Sequence, residues 1–257
     1  MNLIKELYDY REMIYMMVRR EIRGRYKGSV LGFFWTFLNP LLQFIVYAVV
    51  FSTIMRMNIE QFYIYLFVAF VPWFFLATAI PQGAVCIQTQ SNLVQKIYFP
   101  RMVLPISTVV TAFVNMLLSE LVVFAVLLIS GFGISYHIAA LPIVWLIQFL
   151  FVLGIVLVVS SLTVYIRDLA HILDIIVMAW FYATPIVYPP EMLPAQFLWL
   201  MQINPMYGII DGYRKILYYK CWPDFSLMIM ACVLGLITIA VGIVVFQRLQ
   251  RGFAEEL

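Results

Sequence analysis

The feature that most restricts this chain is where charge is missing. Residues 28–55, 61–95, 102–119, 121–166, 175–190 and 225–247 contain no Asp, Glu, Lys or Arg. A helix needs roughly 20 mostly apolar residues to cross the hydrocarbon of a bilayer. Backbone groups in lipid must also be satisfied within the segment itself, which selects helices over open strands. Only 11% of the residues are charged and 65% are hydrophobic, whereas soluble domains carry about 25% charged residues. Too little polar surface remains to cover a water-facing globule.

The sequence therefore predicts an all-α polytopic membrane protein. Six transmembrane helices are expected near residues 31–55, 62–85, 103–130, 141–164, 169–188 and 225–247. The window 121–166 must hold the end of the third span and all of the fourth. Its "SGFGISYHIAALP" supplies the turn, with Gly131 and Gly133 breaking one helix and Pro142 opening the next. Two regions follow, an N-terminal interface segment over 1–30 and a six-helix transmembrane domain over 31–257.

Sidedness follows from the basic residues. With six spans both termini share a side, and that side collects twelve Lys and Arg, against four on the other. The positive-inside bias then puts both termini in the cytoplasm. Arg19, Arg20, Arg23, Arg25 and Lys27 crowd just before the first span. They anchor its orientation. Tyr10, Met13, Ile14, Met17 and Val18 recur at helical spacing, opposite Glu12, Arg19 and Arg23. Such an amphipathic helix suits a membrane interface, bases toward water and anionic headgroups. Gly24, Gly28 and Gly32 fall every four residues and allow close packing at the turn into the first span. An exposed basic linker with incidental glycines is the plainer alternative.

Residues 189–224 are too polar to span and too apolar for a solvated loop. "LPAQFLWLMQI" and "MYGIIDGYRKILYY" are amphipathic pieces separated by Asn204-Pro205, a helix-breaking pair. Each is too short to cross. They read as a re-entrant outer hairpin, either a gate or a structural cap, with Trp199, Met201 and Tyr207 as candidate plugs.

Several function classes fall away. The bases track the edges of apolar windows and form no stripe on a soluble fold, so no nucleic-acid partner is expected. Cys86, Cys221 and Cys232 lack metal-site spacing, and His137 and His171 bring no ligand set. No G-x-x-x-x-G-K-[ST] loop is present to cradle nucleotide phosphates, and no catalytic motif appears. The chain is expected to be no enzyme. Energy for transport must come from a gradient or from another polypeptide.

Five stretches, in order, now carry a resemblance. They are "RYKGSVLGFFWTFLNPLL" ending at Leu42, "LVQKIYFPRMVLPIS" at 93–107, "YIRDLAHI" at 165–172, "TPIVYPP" at 184–190 and "INPMYGIIDGYR" at 203–214. Together they resemble the ABC-2 family of transporter permeases, in the branch exporting lipid-linked O-antigen, capsule and teichoic acid polymers. The resemblance implies a homodimer in the bacterial cytoplasmic (inner) membrane, working with two copies of an ATP-binding subunit. That subunit, not this chain, would bind ATP and Mg; no cofactor is expected here. An ABC-2 exporter of small hydrophobic drugs or lipids would share the fold and the partner.

The resemblance also implies a short coupling helix between the second and third spans, here residues 88–101. Its candidate contacts are Leu93, Val94, Lys96, Tyr98, Phe99 and Arg101. A loop hugging the membrane through Tyr98 and Phe99 is the alternative. Arg167 and Asp168 match the family's Arg-Asp pair and suit structural pairing at the membrane edge. Glu120 sits within the third span, where an ionisable side chain is costly and functional by default. It is expected as hydrogen-bonded glue beside Asn115 or Ser119, or facing the pore. Phe33, Phe34, Trp35 and Phe37 suit an interfacial aromatic belt. Tyr63, Tyr65, Trp73 and Phe74 are the aromatic pore candidates, able to stack on the apolar faces of sugar rings.

Overall fold

The computed structural model describes residues 3–24, 34–50, 59–192, 194, 196 and 198–257. Arg25, Lys27, Gly28, Gly32 and Phe33, all singled out above, lie outside them. Among the described residues every regular element is helical. Two helices, α1 (Leu3–Asp9) and α2 (Arg11–Gly24), precede α3 (Trp35–Val49) and the long α4 (Phe62–Thr89). A short α5 (Ser91–Lys96) leads into α6 (Val103–Ile129), α7 (Leu141–Tyr165) and α8 (Leu169–Ala183). The paired short helices α9 (Leu198–Ile203) and α10 (Pro205–Leu217) are followed by α11 (Phe225–Leu249) and α12 (Phe253–Glu256).

Among the described residues, four helical segments are long and apolar enough to cross a membrane: Phe62–Thr89, Val103–Ile129, Tyr136–Tyr165 and Phe225–Gly252. They match the expected second, third, fourth and sixth spans. The expected first span overlaps α3, which has 15 residues and is not among the four; the flanks at 31–33 and 51–55 lie outside the described residues. The fifth ends early. Helix α8 has 15 residues, roughly 22 Å at 1.5 Å per residue, and stops at Ala183, not at the expected 188. Pro185 is the reason: the residue before a proline is pushed from helical to extended backbone, and Thr184 has φ −105° and ψ 130°.

Helix α4 is apolar all round and forms the axis of the bundle, with Leu66, Val68, Ala69, Leu76 and Ala79 fully buried. Gln148 from α7 donates to the Pro72 carbonyl of α4 at 2.7 Å, tying the two helices at mid-length. Helices α7 and α11 approach so closely that glycine is required. A Cβ built on Gly154 would lie 2.5 Å from the Ile239 backbone nitrogen, and one on Gly242 would lie 2.6 Å from the Gly154 carbonyl oxygen. Small residues let membrane helices pack backbone to backbone in this way. The turn between α6 and α7 uses the expected glycines, with φ +72° at Gly131 and +74° at Gly133. There the Gly133 amide donates back to the Leu127 carbonyl at 2.9 Å and closes the helix end.

The apolar face of α2 packs on protein. Val18 is buried, and Tyr10, Met13, Ile14 and Met17 lie against the core. Arg19, Arg20 and Arg23 are exposed on the other side. The Thr111 hydroxyl of α6 donates to the Glu21 carboxylate at 3.2 Å, and Ser107 approaches the Met17 sulfur at 3.8 Å. Amphipathicity was legible in the sequence; the packing partner was not.

Candidate functional site

One end of the bundle gathers both chain ends and two connecting segments. Glu6 of α1, the α5 segment and Gln250–Arg251 line one groove of about 670 Å³. A second, of about 220 Å³, lies among Gln88, Ser91, Val164, Arg167 and the last residues Glu256 and Leu257. This co-location agrees with an even number of crossings between the termini.

The segment 91–101 divides its side chains sharply. Tyr98 is 93% exposed, whereas Phe99 and Val94 are each 6% exposed and pack into the core. Lys96 is exposed and Leu93 half-buried. Arg101 turns back toward its own chain. Its Nη1 donates to the Gln250 carbonyl oxygen, and its guanidinium carbon lies 5.8 Å from the Phe253 ring centroid. The loop thus presents one large aromatic outward beside an open groove and is braced from within by Val94, Phe99 and Arg101.

Arg167 and Asp168 are both exposed and, among the described residues, make no ion pair with each other. Asp168 instead occupies the position just ahead of α8. Structural pairing of these two side chains, the reading suggested by the sequence, is not what the geometry contains.

At the opposite end, the sequence-predicted hairpin separates into two parts. Asn204 is a hub: its side-chain oxygen accepts from the Met206 amide at 3.1 Å and from the Trp180 indole at 3.0 Å. Its amide nitrogen donates to the Thr184 hydroxyl at 2.9 Å. Helix α10 is therefore capped at its start and fastened to the end of α8. Met206, Ile209, Ile210 and Tyr213 of α10 are fully buried. In α9, Trp199 is 57% exposed and Met201 is buried, while Tyr207 at the start of α10 is half-buried.

Sequence reasoning missed Arg214. Counted as an outer-loop cation, it is 3% exposed and donates to the Pro185 and Ile186 carbonyls at 2.6 and 2.5 Å. A signal was present: Ile210, Arg214 and Leu217 share one helical stripe with the buried residues of α10.

The aromatic candidates scatter. Tyr65 and Trp73 are 1% and 4% exposed, inside the single chain. Trp73 packs edge-on against Trp180 at 6.2 Å and against Phe181 at 5.6 Å. Tyr63 and Phe74 reach the surface. Glu120 is 1% exposed, and among the described residues neither carboxylate oxygen has a hydrogen-bond partner. Ser119, the expected companion, donates to the Asn115 carbonyl instead, at 2.9 Å. The glue reading of Glu120 has no bond behind it.

Comparison with known proteins adds a relationship along the whole chain. Residues 12–218 match the family described as ABC-2 type transporter. The chain is similar to an O-antigen export system permease protein, RfbA, of Myxococcus xanthus, with 34% identity over 259 aligned residues, 100% of this chain and 99% of that protein. An RfbA of Klebsiella pneumoniae shares 29% identity over 96% of this chain and 95% of its own length. The polysialic acid transport protein KpsM of Escherichia coli shares 20% over 91% and 92%.

Proposed function

The chain belongs to the ABC-2 type transporter family, and from that premise we propose that it is the membrane permease subunit of an ATP-driven exporter of lipid-linked polysaccharide. The observation that carries this reading is similarity over essentially the full length of a protein named as an O-antigen export permease. A second relative named for polysialic acid transport supports a polymer as cargo. The chain would work as a homodimer in the bacterial cytoplasmic membrane, with both termini cytoplasmic. Helices α3 and α8 would complete six spans, α2 would lie along the inner interface, and 189–224 would dip into the outer leaflet.

In this reading the ATP-binding subunit, in two copies, carries ATP and Mg and docks at the groove beside Tyr98. An exposed aromatic next to a concave surface is the kind of anchor that dominates protein interfaces. The outer gate narrows to α9. Asn204 and Arg214 fasten α10 to α8 and α4, whereas α9 keeps Trp199 exposed and is held through the buried Met201. A path wide enough for sugars must close between substrates to preserve the membrane potential.

Deletion of the gene in its own cell tests the reading. Surface polymer should vanish and lipid-linked glycan should build up on the inner leaflet. Export should return only when the chain is supplied with a hydrolysis-competent ATP-binding subunit. Unchanged surface polymer together with raised sensitivity to hydrophobic drugs would favour the drug-or-lipid exporter instead.

A further inference from the structure

The C-terminal residues after α11 do not trail away. Tyr165 at the end of α7 donates its hydroxyl to the Leu249 carbonyl at 2.7 Å. Arg101 donates to the next carbonyl, that of Gln250. Leu249 is the last residue of α11, and Gln250 opens the 3-10 turn Gln250–Gly252 after it, where the Phe253 amide also donates to the Gln250 carbonyl. Carbonyls at such a helix end carry the negative end of the helix dipole. A guanidinium suits that position, since it is always charged and presents planar, fixed donors.

The chain then turns back under the same two side chains. A Cβ built on Gly252 would lie 2.5 Å from the Tyr165 hydroxyl oxygen, so a side chain here would have to push the Tyr165 ring aside. Phe253 is fully buried, edge-on to Phe246 at 5.5 Å and tilted against Tyr165 at 6.2 Å. Arg101 lies over its ring. Three membrane helices therefore meet at one knot: α6 through Arg101 just before its start, α7 through Tyr165, and α11 through its own end.

We infer that Arg101 is a positioning residue that joins the α5 loop to the C-terminal end of α11, so that a push on the loop is delivered to two membrane helices at once. One route is covalent, through Met102 into α6. The other runs through the guanidinium into Gln250 and Phe253, and so into α11 and its close partner α7. Arg101 acts within its own chain, while the outward Tyr98 meets the partner. The inference rests on the proposed coupling to an ATP-binding subunit.

The test uses the complete transporter, chain plus ATP-binding subunit, in liposomes. Co-purification, ATP hydrolysis and polymer export are measured for Arg101→Met, Arg101→Lys, Phe253→Ala and the Arg101→Met/Phe253→Ala pair. Phe253→Leu replaces Phe253→Ala if the latter fails to assemble. Arg101→Met should co-purify normally yet export roughly five- to tenfold less polymer per ATP, the size of effect seen along coupling networks. Arg101→Lys should recover part of the loss. The double variant should be no worse than the poorer single, because both remove one linkage. Loss of the partner on Arg101→Met, multiplying effects in the double variant, or unchanged polymer per ATP would each overturn the inference. If the unsubstituted chain neither binds the subunit nor exports, the proposed function is what fails.

Discussion

The guanidinium of Arg214 lies 3.7 Å from the centre of the Tyr65 ring, sealed from solvent between α10 and α4. Two of its nitrogens donate to the Pro185 and Ile186 carbonyls, in the segment just after α8 ends. One side chain thereby ties α10 to the segment after α8 and to Tyr65 of α4. Hydrogen bonds from a charged group contribute about 1.5–3 kcal/mol each, and removing one partner leaves the other buried and unsatisfied. Arg214→Leu should therefore cost roughly 3 kcal/mol or more, read as a lowered thermal midpoint of the purified chain in detergent. An unchanged midpoint would mean that the outer end is held by Asn204 alone.

The α7–α11 contact predicts a second, sharper loss. Gly154→Val would place carbon atoms inside the backbone of Ile239 and Thr238. Overpacking of a well-packed interior costs about 1–3 kcal/mol, more against backbone. The yield of monodisperse protein should collapse for this variant. It should stay normal for Gly24→Ala, where nothing lies within 4 Å of the added carbon.

Much of this architecture could be read from the sequence where one residue type has one physical use. Gly131 and Gly133 take the positive φ that the turn demands, and the apolar stripe of α2 is the side that meets the core, with Val18 buried and Met13, Ile14 and Met17 partly so. Other features depend on neighbours distant in the chain. The early end of α8 follows from a local Thr-Pro pair and was open to reading. The burial of Arg214 needed Pro185, Ile186 and Tyr65 to converge on it. Arg101 was legible as part of a coupling segment, but its partner Gln250 lies 149 positions away, beyond any local pattern.

Glu120 offers a prediction of opposite sign. Both of its oxygens are buried without partners among the described residues, and replacing such a group by an apolar side chain of similar volume is neutral or stabilising. Glu120→Met should leave the midpoint of the purified chain unchanged or raise it. If export falls at the same time, the carboxyl serves transport; a lowered midpoint would contradict the burial argument.

Asp211 supplies a pH dependence. Burial is the largest influence on its carboxyl and raises its pKa above 3.8, with Lys215, 3.4 Å away, opposing. A raised folded value means that the group's contribution is full below the unfolded pKa and is lost as pH rises through the folded one. Asp211→Asn should therefore stabilise the chain at neutral pH, and its advantage should shrink as pH falls toward 3.8. An advantage that grows on acidification would reverse the sign and contradict the burial argument.

The central claim is that this chain, driven by a separate ATP-binding subunit, moves a lipid-linked polysaccharide across a membrane. Its most direct test is transport of a radiolabelled lipid-linked glycan in liposomes holding both proteins. ATP supplied on the side of the chain termini should make the sugar on the far leaflet accessible to a membrane-impermeant glycosidase. A hydrolysis-dead partner should abolish that signal. Equal accessibility without ATP, or none with an active partner and intact chain, would contradict the account.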